Sequence, residues 1–269
     1  MTTPFVMTHP RNAVSAVRLG YPVYTSLISG SGHPINWGMS EYVGMGLNGD
    51  GKVAKTVNKF EYLVSLMDEG VSVPSVAAER SALGSGQWVI RPYSHSEGSD
   101  FQLLDGPLTV PNGKYAARFI HDTREYRVWF CGNDRFLTAK RVPRPSVNEE
   151  DESCRSKWGY AFRDNFPGAI MLVKKALAVV PLDFGAFDLL WSDRERKWYI
   201  LEVNSAPSLD HATVLSFMKA GIAAMLPAER AVTPTTPAPR PTNTIPVVSS
   251  PSNLRAEVRQ AMKEILSSL

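Results

Sequence analysis

Cysteine is almost missing from this chain. Cys131 and Cys154 are the two thiols among 269 residues; they cannot be paired by inspection and have no metal-ligand spacing, which argues against a disulfide-stapled scaffold or a thiolate zinc site and fits a reducing compartment. An excess of one charge is missing too. Lys and Arg total 29 against 26 Asp and Glu, a net charge of +3, so despite a sequence pI of about 8.8 nothing demands nucleic acid or anionic lipid as a partner. Long apolar runs are also absent. The most apolar stretch, AIMLVKKALAVV, is cut by Lys174 and Lys175, and the opening MTTPFVMTHPRN lacks the charged-then-apolar order of a signal peptide, so neither secretion nor a membrane span is expected and the cytoplasm is the expected location. What remains is 43% hydrophobic and 20% charged, enough for one sizeable core in two lobes.

Strand and helix patterns alternate up to about Leu226, and then the composition changes. Residues 227–252 are rich in Pro, Thr and Ser and poor in aromatics, most plainly in TPTTPAPRPTNTIPVVSSPS, which reads as an extended, semi-stiff linker unable to bury enough surface to fold. Residues 253–269 carry Leu254, Val258, Ala261, Met262, Ile265 and Leu266 at helical spacing. Such a helix is available to a protein partner or a second copy, or it folds back on its own domain.

The most informative segment is 182–209, LDFGAFDLLWSDRERKWYILEVNSAPSL. It reads as a hairpin turning near residues 192–196. Alternation then puts Asp188, Glu202 and Asn204 on one side of the pleat, and Phe187, Leu189, Trp191, Tyr199, Leu201 and Val203 on the other. Two carboxylates and an amide gathered opposite a core face are costly if unpaired. A hard divalent cation such as Mg²⁺ resolves that conflict, since it takes oxygen ligands and keeps positions open for phosphates. An ordinary amphipathic hairpin with its polar face in water has the same pattern.

Upstream, residues 58–69 read as a helix capped by Asn58 with Glu61 completing the box, ended by Gly70, and buried through Phe60, Leu63, Val64 and Met67. Lys59 then occupies the first turn, where the helix dipole disfavours a cation unless an anion is near; a solvated lysine is the plain alternative. Strands are expected at 71–76, 87–92 and 101–104. Between the last two, Arg91 precedes the small-residue loop Tyr93-Ser94-His95-Ser96-Glu97-Gly98-Ser99-Asp100, whose amides and hydroxyls could fold over phosphates or form a surface turn. Further strands are expected at 115–120, 125–130 and 135–142, then a charged loop and a helix at 168–179. Glu125, Arg127 and Trp129 share one strand face. Of Lys140 and Arg141, one can point into any single site, and Arg141 is favoured.

Taken in order, Asn58-Lys59, Ile90-Arg91-Pro92 with its Ser/Gly loop, Arg118-Phe119-Ile120, Glu125-Tyr126-Arg127-Val128, Phe162-Arg163-Asp164-Asn165, Phe184-Gly185-Ala186-Phe187-Asp188 and Leu201-Glu202-Val203-Asn204 resemble the ATP-grasp superfamily. The resemblance spans roughly 53–226 and is nearest the branch of peptide-tagging glutamate ligases. It implies an α/β (α+β) fold in which two lobes hold ATP between them: a short lead segment at 1–55, a small lobe at 56–115 and a central lobe at 116–226, before the linker at 227–252 and the tail helix at 253–269. The short lead is similar to that of compact, phage-encoded members.

The resemblance also implies roles. Lys59 and Arg91 match phosphate-binding cations, and Ser94, Ser96 and Gly98 lie in the matching phosphate cover. Phe119 and Ile120 match the adenine-lining hinge and Glu125 the ribose-binding acid. Arg127, Arg141 and Arg163 match catalytic phosphate and acyl-group contacts, joined by Asn165, and Asp188, Glu202 and Asn204 match the ligands of Mg²⁺, with Mn²⁺ as a substitute. The implied reaction joins a small-molecule or peptide carboxylate to an amine through an acyl phosphate; kinase chemistry on the same fold and a non-catalytic ATP-binding adaptor are the alternatives. Two positions depart from the family. Arg91 replaces a usual lysine, which changes a point charge for a planar fork. Ala117 stands where Glu or Gln often accepts the adenine amino proton, leaving adenine to backbone carbonyls.

Overall fold

A computed structural model describes residues 3–27, 32–93, 101–142, 159–162 and 165–227, all within the compact unit Met1–Ala228. The expected tail helix at 253–269, the expected linker beyond Pro227, the loop at 94–100, the charged loop at 143–158 and Arg163 lie outside the described residues. Among the described residues no helix is long and apolar enough to cross a membrane.

Among the described residues three sheets carry the fold. The first has β1 (Pro4–Thr8) between parallel neighbours β2 (Val23–Tyr24) and β3 (His33–Trp37), with α1 (Ala13–Val17) in the β1–β2 connection. Val6, Met7, Ile35 and Trp37 are fully buried. Parallel strands covered on both sides show little alternation, and no expectation at the sequence level included them.

The second sheet, in the order β4-β7-β5-β6, is built from β4 (Val76–Ala77), β5 (Ala82–Pro92), β6 (Gln102–Thr109) and β7 (Lys114–Arg118). Its last strand runs three residues past the expected end of the small lobe. The strand expected at 71–76 shrinks to Val76–Ala77. Pro74 supplies no ladder donor, and Val71 and Val73 are buried without joining a strand. Conversely β5 begins five residues earlier than expected, since its first half is broken by a register shift between Leu83 and Gly86, and Gly86 has φ +115°. Helix α2 (Lys59–Asp68) starts as expected: the Asn58 Oδ1 accepts from the Glu61 amide at 3.3 Å, and Gly70 follows with φ +70°. Its buried face is Tyr62, Leu63 and Leu66, whereas Met67 is 41% exposed, so the stripe is rotated from the expected one.

The third sheet positions the site. It is antiparallel in the order β10-β9-β8-β11-β12, from β8 (Thr123–Cys131), β9 (Arg135–Val142), β10 (Gly159–Ala161), β11 (Phe184–Ser192) and β12 (Lys197–Asn204). One face packs Val128, Phe130, Phe187, Leu189, Ile200 and Val203 against α2 and α3 (Pro167–Val179). The other packs Trp129, Cys131, Ala139, Phe184 and Ala186 against α4 (Ala212–Met225) and the first sheet. Beyond that apolar cover, the second face carries charge.

The hairpin departs from strict alternation at one point. Phe187 pairs with Val203 and Asp188 with Glu202, but Leu189 pairs with Ile200, so Leu201 is an extra residue in a bulge. Ile200 replaces Leu201 on the core face. Tyr199 and Leu201, expected in the core, instead cluster with Ile120 and Leu190.

Long-range clasps tie the first sheet to the third. The Asn48 side chain accepts from the Asp183 amide at 2.7 Å and donates to the Phe184 carbonyl at 3.0 Å, and Lys52 donates to Asp183 at 2.9 Å. The Ser15 hydroxyl donates to the Pro207 carbonyl and accepts from the Leu209 amide, both at 3.2 Å. On α4, a Cβ at Gly221 would lie 2.3 Å from the Cys131 sulfur, a thiol that burial pushes up to about 12. Gly221→Ala should therefore lower stability by about 1–3 kcal/mol in urea unfolding, because overpacking a full core outweighs the ~1 kcal/mol gained from helix propensity.

Candidate active site

The charged strip on the second face follows from register. Arg127 pairs across the sheet with Asp188 on one side and Ala139 on the other, and Tyr160 pairs with Arg141. Directly paired residues share a face, so Glu125, Arg127 and Arg141 lie on the face that carries Asp188 and Glu202. Lys140 pairs with the core residue Tyr126, on the opposite side, as the choice of Arg141 required.

Each acid in this strip meets a cation. Arg127 holds Asp188 through two parallel hydrogen bonds, Nε to Oδ1 and Nη2 to Oδ2, each 2.5 Å, with both side chains mostly buried. Lys59 reaches from the first residue of α2 to the Glu202 Oε2 at 2.5 Å. Arg141 meets Glu125 at 3.4 Å. The guanidiniums of Arg127 and Arg141 both lie over the Tyr160 ring, at 5.8 and 5.6 Å from its centroid. Burial alone would raise the Asp188 carboxyl, but Arg127, then Arg141 and a hydrogen bond with Glu202, outweigh it and hold the group below the usual aspartate value.

Two tyrosines frame the acids. Burial pushes the Tyr115 phenol up to about 12; Arg91 opposes the rise and Glu202 adds to it. Arg91 of the second sheet and Glu202 of the hairpin are thus neighbours of one phenol. The Arg91 guanidinium also stacks over Phe101 at 5.4 Å. Tyr62 is 2% exposed, its hydroxyl has no hydrogen-bond partner among the described residues, and burial, Glu202 and Asp188 together push it well above the usual tyrosine value. Neither Tyr62 nor Tyr160 was singled out from sequence. Tyr62 looked like one more apolar helix residue, and Tyr160 follows a loop that interrupts any periodicity.

Other expected site residues distribute as follows. Asn204 sits two residues from Glu202 on the same face, its Oδ1 accepting from the Ala206 amide at 2.9 Å. The Phe119 amide donates to the Gln87 carbonyl at 2.9 Å, tying the expected hinge to β5. Ile120 joins Leu190, Tyr199 and Leu201 in a small apolar cluster. Asn165 is not brought to the strip. It lines a recess of about 310 Å³ with Tyr126, Phe166, Trp191 and Trp198, on the core side of the sheet; a loop residue has no register to fix its direction. Ser94, Ser96, Gly98 and Arg163 fall outside the described residues.

The donor set can be tested against a divalent cation. No group of three or more His, Cys, Asp or Glu able to hold a metal occurs among the described residues; the oxygens available are two opposed carboxylates and one amide. Asp188 and Glu202 face each other directly across the ladder, a like-charge arrangement that is unfavourable by itself. All three are hard oxygen donors of the kind Mg²⁺ takes while retaining waters and phosphates. The set fits such an ion.

No protein-family model matches the chain, and no curated protein sequence matches it. Solved structures do match. The ATP-grasp ligase PsnB, complexed with minimal precursor, superposes with a TM-score of 0.60 at 12% identity, covering 83% of this chain and 99% of that one. The D-alanine–D-alanine ligase from Bacillus anthracis gives a TM-score of 0.57 at 8% identity, covering 83% and 98%. The Chryseobacterium gregarium RiPP-associated ATP-grasp ligase, in complex with ADP and a leader and core peptide, gives 0.56 at 11% identity, covering 84% and 98%. The fold of this chain is the ATP-grasp fold.

Proposed function

We propose that this chain is an ATP-dependent carboxylate:amine ligase, which transfers the γ-phosphoryl group of ATP to a substrate carboxylate and lets an amine displace phosphate to form an amide. The observation that carries the reading is the face-to-face pair Asp188 and Glu202, with Lys59 and Arg127 already upon it. A surface with no anion to handle has little use for two mostly buried guanidiniums, a lysine and two acids within one strip.

Asp188, Glu202 and Asn204 are the residues that would hold Mg²⁺, which when bound neutralises phosphate charge and orients the transferring group. Lys59 and Arg91 approach from α2 and β5 and would bind the phosphates. Arg127 and Arg141, backed by the Tyr160 ring, present fixed cationic forks where negative charge accumulates during transfer. The Ile120, Leu190, Tyr199 and Leu201 cluster offers an apolar wall for the base. Glu125 would hold the ribose, with Arg141 keeping it oriented. No nucleophilic Ser or Cys is required, since positioning and electrostatics carry the reaction. The two thiols and the demand for ATP suit the cytoplasm.

The test is trapping. Purified full-length protein with Mg·ATP and pooled amino acids or peptides should release ADP and, with hydroxylamine replacing the amine, yield a hydroxamate. Absence of hydroxamate together with a stable phosphorylated hydroxyl product would overturn the ligase reading in favour of a kinase.

A further inference from the structure

We infer that the nucleotide-free protein keeps its metal carboxylates capped by its own cations, so that a divalent cation enters with a polyphosphate and not before it. The inference rests on the ligase reading above, because it concerns the same acids.

The charges of the strip balance without a metal. Asp188 and Glu202 contribute two negative charges, and Arg127 and Lys59 cancel both at contact distance. Arg141 is in turn met by Glu125 at 3.4 Å, so the three acids and three cations of the strip balance. A free divalent cation would meet a neutralised, half-buried strip and add an excess of positive charge, which is expensive to bury without an anion. A polyphosphate supplies that anion.

The two caps are not equivalent. Arg127 is held in both planar hydrogen bonds and over Tyr160. Lys59 makes one contact at the end of a flexible four-carbon stem, from the first turn of α2, where the helix dipole disfavours its charge. Its side chain is 21% exposed, and that of Glu202 is 30%. Lys59 is therefore the part that moves: it leaves Glu202 for the phosphates, and the vacated carboxylate takes the metal.

The experiment measures Mn²⁺ binding by paramagnetic resonance on the full chain without nucleotide. Lys59→Met and Lys59→Gln should each bind Mn²⁺ at least about tenfold more tightly than the unaltered protein. Lys59→Arg, which keeps a cap, should match the unaltered protein. Adding Glu202→Gln to Lys59→Met should remove the gain. Circular dichroism confirms that each variant is folded. Equal Mn²⁺ affinity for Lys59→Met, Lys59→Gln and the unaltered protein would overturn the inference. A separate calorimetric titration with Mg·ADP keeps the two claims apart. Saturable binding without any Lys59 effect sinks the cap alone, and no binding at all sinks the ligase reading beneath it.

Discussion

Glu202→Gln should reduce Mg²⁺-dependent ADP release by at least about a hundredfold while leaving the fold within roughly 1 kcal/mol of its starting stability. The asymmetry follows from what surrounds the side chain. Glutamine keeps the shape and an oxygen that Lys59 can still donate to, and the pair it weakens is partly exposed, at 21% and 30%, where an ion pair contributes little. What glutamine lacks is the charge to hold a divalent cation against Lys59 and Arg127. Steady-state ADP release against Mg²⁺ concentration, alongside urea unfolding, measures both halves. A Glu202→Gln protein with full activity would remove this residue from the metal site.

Arg127→Ala should behave differently, losing both activity and about 3–5 kcal/mol of stability, because it strips both hydrogen-bonding donors from the buried Asp188 carboxylate and leaves it only the Coulombic pull of Arg141. Its pH dependence changes sign as well. With Arg127 present, the folded-state pKa of Asp188 is depressed, so the group contributes stability above its unfolded pKa and loses it as pH falls through the folded value. Without Arg127, burial, already the largest single influence, is no longer outweighed and raises the folded pKa. The variant is then penalised at neutral pH, and the penalty shrinks as acid protonates the carboxyl. Urea unfolding at about pH 7 and about pH 5 should show the gap between Arg127→Ala and the unaltered protein narrowing at the lower pH. A constant gap would mean that Asp188 finds another cation. Asp188→Asn is the mirror case: it leaves Arg127 without its carboxylate and should cost stability too, so it is a poorer probe of the metal than Glu202→Gln.

The contrast between these two acids could not be read from sequence, although their common face could. Period-two alternation put Asp188 on one side of the hairpin with Glu202 and Asn204, and Glu125 with Arg127 on one face of their own strand; the family resemblance joined these and Arg141 into one site, and the Leu201 bulge is what brings Asp188 directly opposite Glu202. That works because register is strict where one side of a strand is buried. Which cation meets which acid depends on packing between elements far apart in the chain. Lys59 and Glu202, separated by 143 positions, have no local signal joining them. The bulge at Leu201 escaped because an extra apolar residue among apolar residues leaves no mark in the pattern, and it moved Tyr199 and Leu201 from the core face to the side of Ile120. Asn165 lies apart from the strip for the opposite reason: a motif gave its neighbourhood, but no periodicity gave its direction. In α2, apolar residues occupy more than one side of the helix, so the choice between the Phe60–Met67 stripe and the observed Tyr62–Leu66 face required the partner surface.

The clasps between the first sheet and the far end of the chain have a consequence for how the protein is made. Asn48 finds Asp183 and Phe184 after 135 and 136 intervening steps, and Ser15 meets Leu209 after 194. A chain emerging from the ribosome at about 5–20 residues per second would leave its opening strands without those anchors for on the order of ten seconds. During that interval the apolar surfaces of Val6, Ile35 and Trp37 await the third sheet and α4, so the nascent chain is most exposed to misassembly, and to chaperone capture, before α4 is translated.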